Sequence, residues 1–174
     1  MTRIRDPRCD APGDIREITD EAGTRGLEAI FCVAVPPEAL LNILWDIANF
    51  GRLFPDIKET RVVDRDHETP TRRIDLAYRV DAVVKEIRYV LRRRLDPDTR
   101  AITWRELSGD LRRVRGGWWV EATDDPGISR ATYRAFVDIG RFVPTRLVAK
   151  GAKRKAAEMI ARVRQVAGEL HAAR

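Results

Sequence analysis

Few side chains in this 174-residue sequence have the type and spacing that catalysis requires. Glu106 is the one acid predicted on an otherwise apolar strand face, two positions after Trp104. Desolvation there would raise its pKa and suit it to general acid or base catalysis, whereas an arginine partner or a wet strand end would make it structural. His67, in a polar turn, and His171, near the end of the last helix, lack partners at metal-ligand or triad spacing, and no P-loop, GxGxxG or GxSxG motif occurs. Glu106 is therefore the catalytic candidate, and neither a metal nor a cofactor is predicted.

Three tyrosines point to binding instead, because Tyr78, Tyr89 and Tyr133 fall on the apolar faces of predicted strands. A buried phenol normally finds a hydrogen-bond partner, and a ligand carbonyl could be one. Ligand cavities combine large apolar side chains with a few such donors, although the same residues could pack together as a plain core. The predicted ligand-binding residues are Phe50, Phe54, Ile74, Leu76, Tyr78, Ile87, Tyr89, Leu91, Trp104, Trp118, Tyr133, Val148, Met159 and Val163.

The strands that carry these side chains are predicted from alternation of apolar and polar residues. In "RIDLAYRVDA" (73–82), Ile74, Leu76, Tyr78 and Val80 share one face, which is typical of a strand with one dry side. Further strands are predicted within "GLEAIFCVAV", which is rich in β-forming residues, and within "IKETRVVDRD", "KEIRYVLRRRL", "RAITWREL", "LRRVRGGWWVEA" and "ISRATYRAFVDI". The short polar turns between the later strands favour an antiparallel sheet.

Two helices flank the run of strands. "EALLNILWDIANF" has helical spacing, and after Pro144 a stripe of apolar residues recurs every three or four positions. The stripe predicts a long amphipathic helix that lies across the sheet. A seven-stranded curved sheet around one helix leaves space between them, so the aromatic connector with Phe50, Leu53 and Phe54 is expected to form a lid or rim of a cavity. The predicted class is α+β.

The sequence "GGWW" (116–119) places two glycines inside a predicted strand. Such glycines mark a sharp bend or the close approach of another group. Trp118 and Trp119 must face opposite ways in a regular strand, and the alternation with Val114 and Val120 predicts that Trp118 points inward.

The net charge of +6 is distributed unevenly. Residues 85–115 carry 10 basic against 5 acidic side chains, and residues 141–174 carry 9 against 2. These segments could face RNA, an anionic membrane or an acidic protein, or could simply be the wet sides of a sheet and a helix. The basic residues predicted for peripheral contact with a membrane or a ribosome are Arg92, Arg93, Arg94, Arg112 and Arg113.

The location is predicted from three further observations. No apolar run approaches the length of a membrane-spanning helix, and no secretory signal is evident at the basic N-terminus. Cys9 and Cys32 lack the spacing of a metal site or a disulfide framework. A reduced cytoplasmic protein is therefore expected, with residues 1–25 as a polar extension and residues 26–174 as one ligand-binding domain.

Several phrases, together with this order of elements, resemble the START-like (SRPBCC) superfamily with the helix-grip fold. They are "VAVPPEALLNILWDIANFGRLFPDIKETRVVDRD", "ITWRELSG", "GGWW", "TYRAFVDIGRFVP" and the long final helix. The resemblance is greatest to the polyketide cyclase/dehydrase and coenzyme Q-binding branch and covers about residues 27–170. It implies a curved antiparallel sheet of about seven strands wrapped around the C-terminal helix.

The resemblance leaves three functions open. The first is binding or transport of a hydrophobic small molecule, such as an isoprenoid quinone, a lipid or a polyketide-like compound. The second is an aromatic polyketide cyclase or dehydratase, which could work by shaping a flexible chain with little acid–base machinery. The third is an interaction protein that resembles the ribosome-directed toxin of this superfamily. The sequence carries no signature that decides between an enzyme and a carrier.

Overall fold

The computed structural model describes residues 12–66, 72–81, 85–138, 140 and 145–174, and the side chains of all of these except 145–149. These residues form eight strands and three α-helices. The strands are β1 (Asp14–Thr19), β2 (Arg25–Val33), β3 (Ile57–Asp66), β4 (Arg72–Asp81), β5 (Glu86–Asp96), β6 (Ala101–Gly109), β7 (Arg113–Ala122) and β8 (Ser129–Asp138). The helices are α1 (Pro37–Trp45), α2 (Phe50–Leu53) and α3 (Thr145–Ala172).

The strands form one antiparallel sheet in the order β1-β2-β8-β7-β6-β5-β4-β3. Every strand from β3 to β8 pairs with its neighbour in sequence, as expected for strands joined by short turns. Strand β2 pairs with β8, so a strand near the start of the chain lies beside the last strand. The curved sheet with its long C-terminal helix confirms the predicted α+β helix-grip architecture.

Strand β1 is the element that the sequence prediction lacked, because it lies within the segment expected to be a polar extension. Its sequence, "DIREIT", buries only part of Ile15 and Ile18. Six residues of β1 pair with β2, from Asp14 opposite Ile30 to Thr19 opposite Arg25. The strand thus depends on the edge of β2 rather than on its own apolar content, and the sheet has eight strands instead of about seven.

Helix α3 packs against β1, β2, α1 and α2 on the concave face of the sheet. Its buried residues Ala156, Ile160, Val163, Val166 and Ala167 lie on the predicted stripe or beside it. They join the largest cluster of the core, which also contains Phe31, Leu40, Leu44, Leu53, Ile102 and Trp118. The period of the apolar residues therefore predicted the buried face of this helix correctly.

The two glycines of "GGWW" allow close approach of other groups. A Cβ on Gly116 would lie 2.2 Å from the Arg134 carbonyl oxygen and 2.8 Å from the Trp104 indole. On the opposite face, a Cβ on Gly117 would lie 2.6 Å from the ring of Trp119. Both positions therefore require glycine for space, and Trp118 points inward with 2% of its surface exposed, as predicted.

Candidate functional site

A cavity of about 990 Å³ lies between the inner face of the sheet and the part of α3 that contains Ala152, Lys155, Ala156 and Met159. Strands β1, β2 and β8 supply one wall, and α3 supplies the other. The apolar part of its lining consists of Leu27, Tyr133, Ala135, Val137, Ala156 and Met159. Charged residues, including Glu17, Arg25, Asp138 and Lys155, also line it. A volume of this size is at the upper end of the range for small-molecule sites. We call this region the hollow side of the fold.

Tyr133 gives the cavity a polar group. Its ring centroid lies 4.7 Å from that of Trp118 and 5.9 Å from that of Trp104, so two indoles fix the orientation of the phenol. Among the described residues, none forms a hydrogen bond with its hydroxyl group. Burial raises the pKa of Tyr133 to about 12, so the phenol is neutral and can donate a hydrogen bond at physiological pH.

Tyr78 and Tyr89 are opposite each other on β4 and β5, with stacked rings whose centroids lie 5.3 Å apart. Burial raises the pKa of both phenols. The negative charge that the phenolates of Tyr78 and Tyr133 would carry raises the pKa of Tyr89 further. In the part of the chain that the structure describes, neither hydroxyl has a hydrogen-bond partner. Three neutral donors therefore lie on the same inner surface.

The region around Tyr78 is filled by side chains rather than hollow. Phe50, Ile74, Leu76, Leu91 and Val114 form a second buried cluster with it, and Leu76 has no exposed surface. We call this the filled side. Phe50 lies parallel to Tyr78 at 6.4 Å, so the connector packs inside the fold.

The connector residues were predicted to form a lid or rim, and the structure places them between the two core clusters. Phe50 and Leu53 are buried, and Phe54 contacts Phe50 at 5.5 Å and Trp118 at 6.4 Å. None of these three side chains lines the 990 Å³ cavity. They separate the filled side from the main cluster, which explains why the chain carries aromatics in this connector.

Arg93 is the buried polar residue that the sequence prediction misplaced. It was expected on the basic surface, but only 3% of it is exposed, so this expectation is wrong. Its guanidinium lies 4.7 Å from the Phe50 ring centroid and 5.1 Å from that of Trp45. The group also donates to the carbonyl oxygen of Leu44 at 3.1 Å, near the C-terminal end of α1. Alternation with Tyr89 and Leu91 was the sequence signal that could have placed Arg93 inside.

Among the described residues, no carboxylate forms an ion pair with Arg93. Burial lowers its pKa, and the nearby Tyr78 opposes this effect. A helix C-terminus carries partial negative charge, so the carbonyl groups at the end of α1 compensate part of the desolvation of the guanidinium. Arg93 thus joins the connector to β5 through hydrogen bonding and cation–π contact.

The catalytic candidate Glu106 has a structural partner. Its carboxylate accepts a hydrogen bond from the backbone N–H of Val114 at 3.1 Å and lies 4.0 Å from Arg115. The registered pairing of β6 with β7 ends at Arg105 opposite Arg115, just before this contact. Glu106 therefore satisfies a backbone donor where the two strands separate, and it does not line the cavity.

The remaining predicted ligand residues differ in their positions. Met159 lines the cavity, Trp118 and Val163 are core residues, and Trp104 contacts both clusters. Ile87 is half-buried on β5. The side chain of Val148 and all of His67 lie outside the described residues. Within the described residues, no group of three His, Cys, Asp or Glu side chains could hold a metal ion.

The other basic residues expected on the surface have mixed environments. Arg92 donates twice to Asp75 at 2.9 Å, and this hydrogen bonding holds the pKa of Asp75 below its usual range. Arg94 and Arg112 are exposed. Arg113 lies 3.8 Å from Asp20, and its Nε is buried without a hydrogen bond.

Two observations concern the expected cellular location. Cys32 is disulfide-bonded, so the expectation of two reduced cysteines is wrong for this residue. Cys9 lies outside the described residues. No helix in the described part of the chain is long and apolar enough to cross a bilayer.

The comparisons place this arrangement in a known class. A curved antiparallel sheet that encloses a long C-terminal helix is the architecture of the START-like superfamily. The chain belongs to the polyketide cyclase/dehydrase and lipid transport family, whose profile matches residues 33–164. A search of curated protein sequences gives no significant match.

Solved structures with the same fold have low sequence identity to this chain. The Zhui aromatase/cyclase from Streptomyces sp. R1128 is 18% identical with a TM-score of 0.67, and the match covers 92% of this chain and 98% of that one. A STAR-related lipid transfer protein from Xanthomonas axonopodis is 14% identical with a TM-score of 0.68, covering 90% and 93%. Human STARD10 is 16% identical with a TM-score of 0.70, covering 90% and 69%. These likenesses show the fold.

Proposed function

We propose that this protein binds and carries a lipophilic small molecule in the cavity between the sheet and α3. The observation that carries the proposal is the 990 Å³ space with a largely apolar inner wall, charged residues around it and the Tyr133 phenol on its wall. Small-molecule sites have this combination of concave apolar surface with a few polar groups. Family membership supports the same class of function.

The polar groups on the inner surface support a ligand that accepts hydrogen bonds. Tyr133 lines the cavity and its phenol is neutral, so it is a donor at neutral pH, whereas Tyr78 and Tyr89 lie on the filled side. A quinone or a polyketide-like compound offers carbonyl oxygens within an apolar skeleton, which matches this donor. An isoprenoid quinone is therefore our first choice of ligand, and a polyketide-like compound or another lipid is the second.

Extraction of the freshly purified protein with organic solvent, followed by mass spectrometry, tests the proposal directly. We expect a stoichiometric lipophilic compound from the wild type. Ala135→Trp should prevent loading because Ala135 lines the cavity and the indole would occupy it. Ala161→Trp is the matched control, since Ala161 lies on the exposed side of α3.

A binding titration covers the case of a ligand that is lost during purification. The probe is 2-methyl-1,4-naphthoquinone, and the signal is quenching of tryptophan fluorescence, because Trp104 and Trp118 surround Tyr133. Saturable quenching in the wild type and in Ala161→Trp, with at least about tenfold weaker binding in Ala135→Trp, would support the proposal. Empty extracts together with no saturable quenching would contradict it.

A cyclase or dehydratase activity would use the same cavity. The family and the fold shared with an aromatase/cyclase support this second candidate. The single residue we would test is Tyr133, the phenol on the cavity wall. Turnover of a polyketide substrate that falls in Tyr133→Phe while binding persists would favour an enzyme over a carrier.

A further inference from the structure

The convex face of strands β5, β6 and β7 carries arginines in direct lateral register. Arg92 on β5 is opposite Arg105 on β6, which is opposite Arg115 on β7. Arg94 lies two residues further along β5 on the same face, opposite Thr103. We define Arg94, Arg105 and Arg115 as the convex arginine patch. All three side chains are exposed.

The patch has little charge compensation within the described residues. Arg92 is paired with Asp75, but no described carboxylate lies within ion-pair distance of Arg94 or Arg105. Arg115 approaches Glu106 only to 4.0 Å. Like charges directly opposite each other destabilise a sheet. Arg105, between Arg92 and Arg115, has no described ion-pair partner of its own, so this part of the row breaks a local rule of strand pairing, and such exceptions are characteristic of functional surfaces.

Residues next to the patch add a hydroxyl group and an aromatic ring to its positive charge. Thr103 supplies a hydroxyl beside Arg94, and Gly117 follows it in the same row. The Trp119 indole covers Gly117, and the guanidinium of Arg134 lies 5.3 Å from the Trp119 ring centroid. A half-buried aromatic ring with basic side chains beside it on the outer sheet face is a combination that proteins use to stack the bases and contact the phosphates of single-stranded nucleic acids.

The position of the patch argues for RNA rather than a membrane. The cavity and α3 lie on the concave face, whereas the patch lies on the opposite face of the sheet. A bilayer docked on the patch would be separated from the cavity by the whole sheet, so docking there would not assist lipid exchange. Neighbouring strands are about 4.8 Å apart, which sets the arginines in a row that a phosphodiester backbone can follow.

We propose that the convex arginine patch binds the phosphate backbone of single-stranded RNA. Arg105 is the central contact, with Arg94 and Arg115 on the adjacent strands. Recognition through phosphates predicts little preference for base sequence and a strong dependence on salt. This surface is separate from the lipophilic cavity, so both sites can be occupied at once.

The test is fluorescence anisotropy with a labelled 20-nucleotide polyuridylate between 50 and 200 mM salt, using the full chain. In the variant Arg94→Gln/Arg105→Gln/Arg115→Gln we expect at least about tenfold weaker binding and a salt slope smaller by about 2, since each single-strand phosphate contact contributes about 0.7. The matched control is Lys150→Gln/Lys153→Gln/Arg154→Gln, which removes three exposed charges from α3. This control should keep the slope of the wild type.

Three outcomes would overturn the proposal. The first is that the wild type does not bind the oligonucleotide at 50 mM salt. The second is that the α3 variant weakens binding as much as the patch variant, which would mean that binding depends on net charge and not on the patch. The third is that the patch variant loses binding to phosphatidylserine vesicles but not to RNA, which would make the face a membrane surface. Thermal unfolding checks that the patch variant is folded, and its Tm should equal or exceed that of the wild type because like-charge pairs are removed.

Discussion

The two sides of the concave face carry similar residues but are packed differently. On the filled side, Tyr78 is covered by Phe50, and the guanidinium of Arg93 lies over the Phe50 ring. On the hollow side, Tyr133 faces a cavity whose other wall includes Ala156 and Met159. Side-chain size at the facing element makes the difference, because α2 presents a phenylalanine where α3 presents alanine and methionine. Apolar strand faces alone therefore do not identify a binding site in this fold.

The largest expected effect is on the stability of the filled side. Leu76 is fully buried in the second cluster, so Leu76→Ala removes well-packed contacts and leaves a void. We expect the free energy of unfolding to fall by about 2–5 kcal/mol, measured by urea denaturation. Ligand loading of the folded fraction should not change, and a loss of loading at intact stability would place the ligand on the filled side instead.

The close packing around Gly116, beside Trp104, should give the next largest effect on the free energy of unfolding. A Cβ on Gly116 would lie 2.2 Å from backbone and 2.8 Å from Trp104, whose ring packs on both clusters. We expect Gly116→Ala to cost about 1–3 kcal/mol in urea denaturation. Gly51→Ala in α2 is the control, since no atom lies within 4 Å of its Cβ position, and it should be neutral or slightly stabilising. Equal losses in both variants would contradict this role of Gly116.

Truncation of Met159 on the hollow side should lower the free energy of unfolding less than truncation of Leu76 does. Met159 is only partly buried and borders open space, so Met159→Ala removes fewer contacts than Leu76→Ala. We expect a loss of about 1 kcal/mol or less, together with a clear change in affinity for 2-methyl-1,4-naphthoquinone. A stability loss as large as that of Leu76→Ala would mean that the two sides do not differ in packing.

The last expected effect appears only at alkaline pH. The pKa of Tyr133 is raised from about 10 in the unfolded chain to about 12, so the unfolded state releases this proton first. The contribution is constant below pH 10, and the free energy of unfolding then falls as the pH rises from 10 towards 12. Tyr133→Phe should reduce this slope, measured by urea denaturation at several pH values. Part of the slope should remain through Tyr78 and Tyr89, and an unchanged slope would contradict the burial of the Tyr133 phenol.

Sequence patterns predicted most of the architecture. The alternation around Tyr78 predicted β4 and its inward face, and the stripe through Ala156 and Val163 predicted α3. Period-two and period-3.6 patterns are direct consequences of backbone geometry, so they can be recognised from local sequence alone. Strand β1 was missed because its two isoleucines give too weak an alternation, and its pairing with β2 stabilises it.

The candidate site was predicted only in part. Tyr133 and Met159 were predicted as ligand residues, whereas Ala135 and Ala156 were not, because small residues give no sign of facing a cavity. Arg93 was placed outside because its two arginine neighbours suggested a surface run, although strand parity puts it beside Leu91. Charge type was thus a weaker guide than alternation at this position.

The sequence by itself determined strands β2 to β8, the amphipathic helix and most of the apolar residues on the inner face, because these depend on local periodicity. The tertiary structure alone decided where that inner face is filled and where it is hollow. Packing depends on which side chain meets which across the fold, as when Phe50 and Arg93 meet at Tyr78. It also decided that Arg105 lies between Arg92 and Arg115, since strand register brings together charges that are distant in the chain.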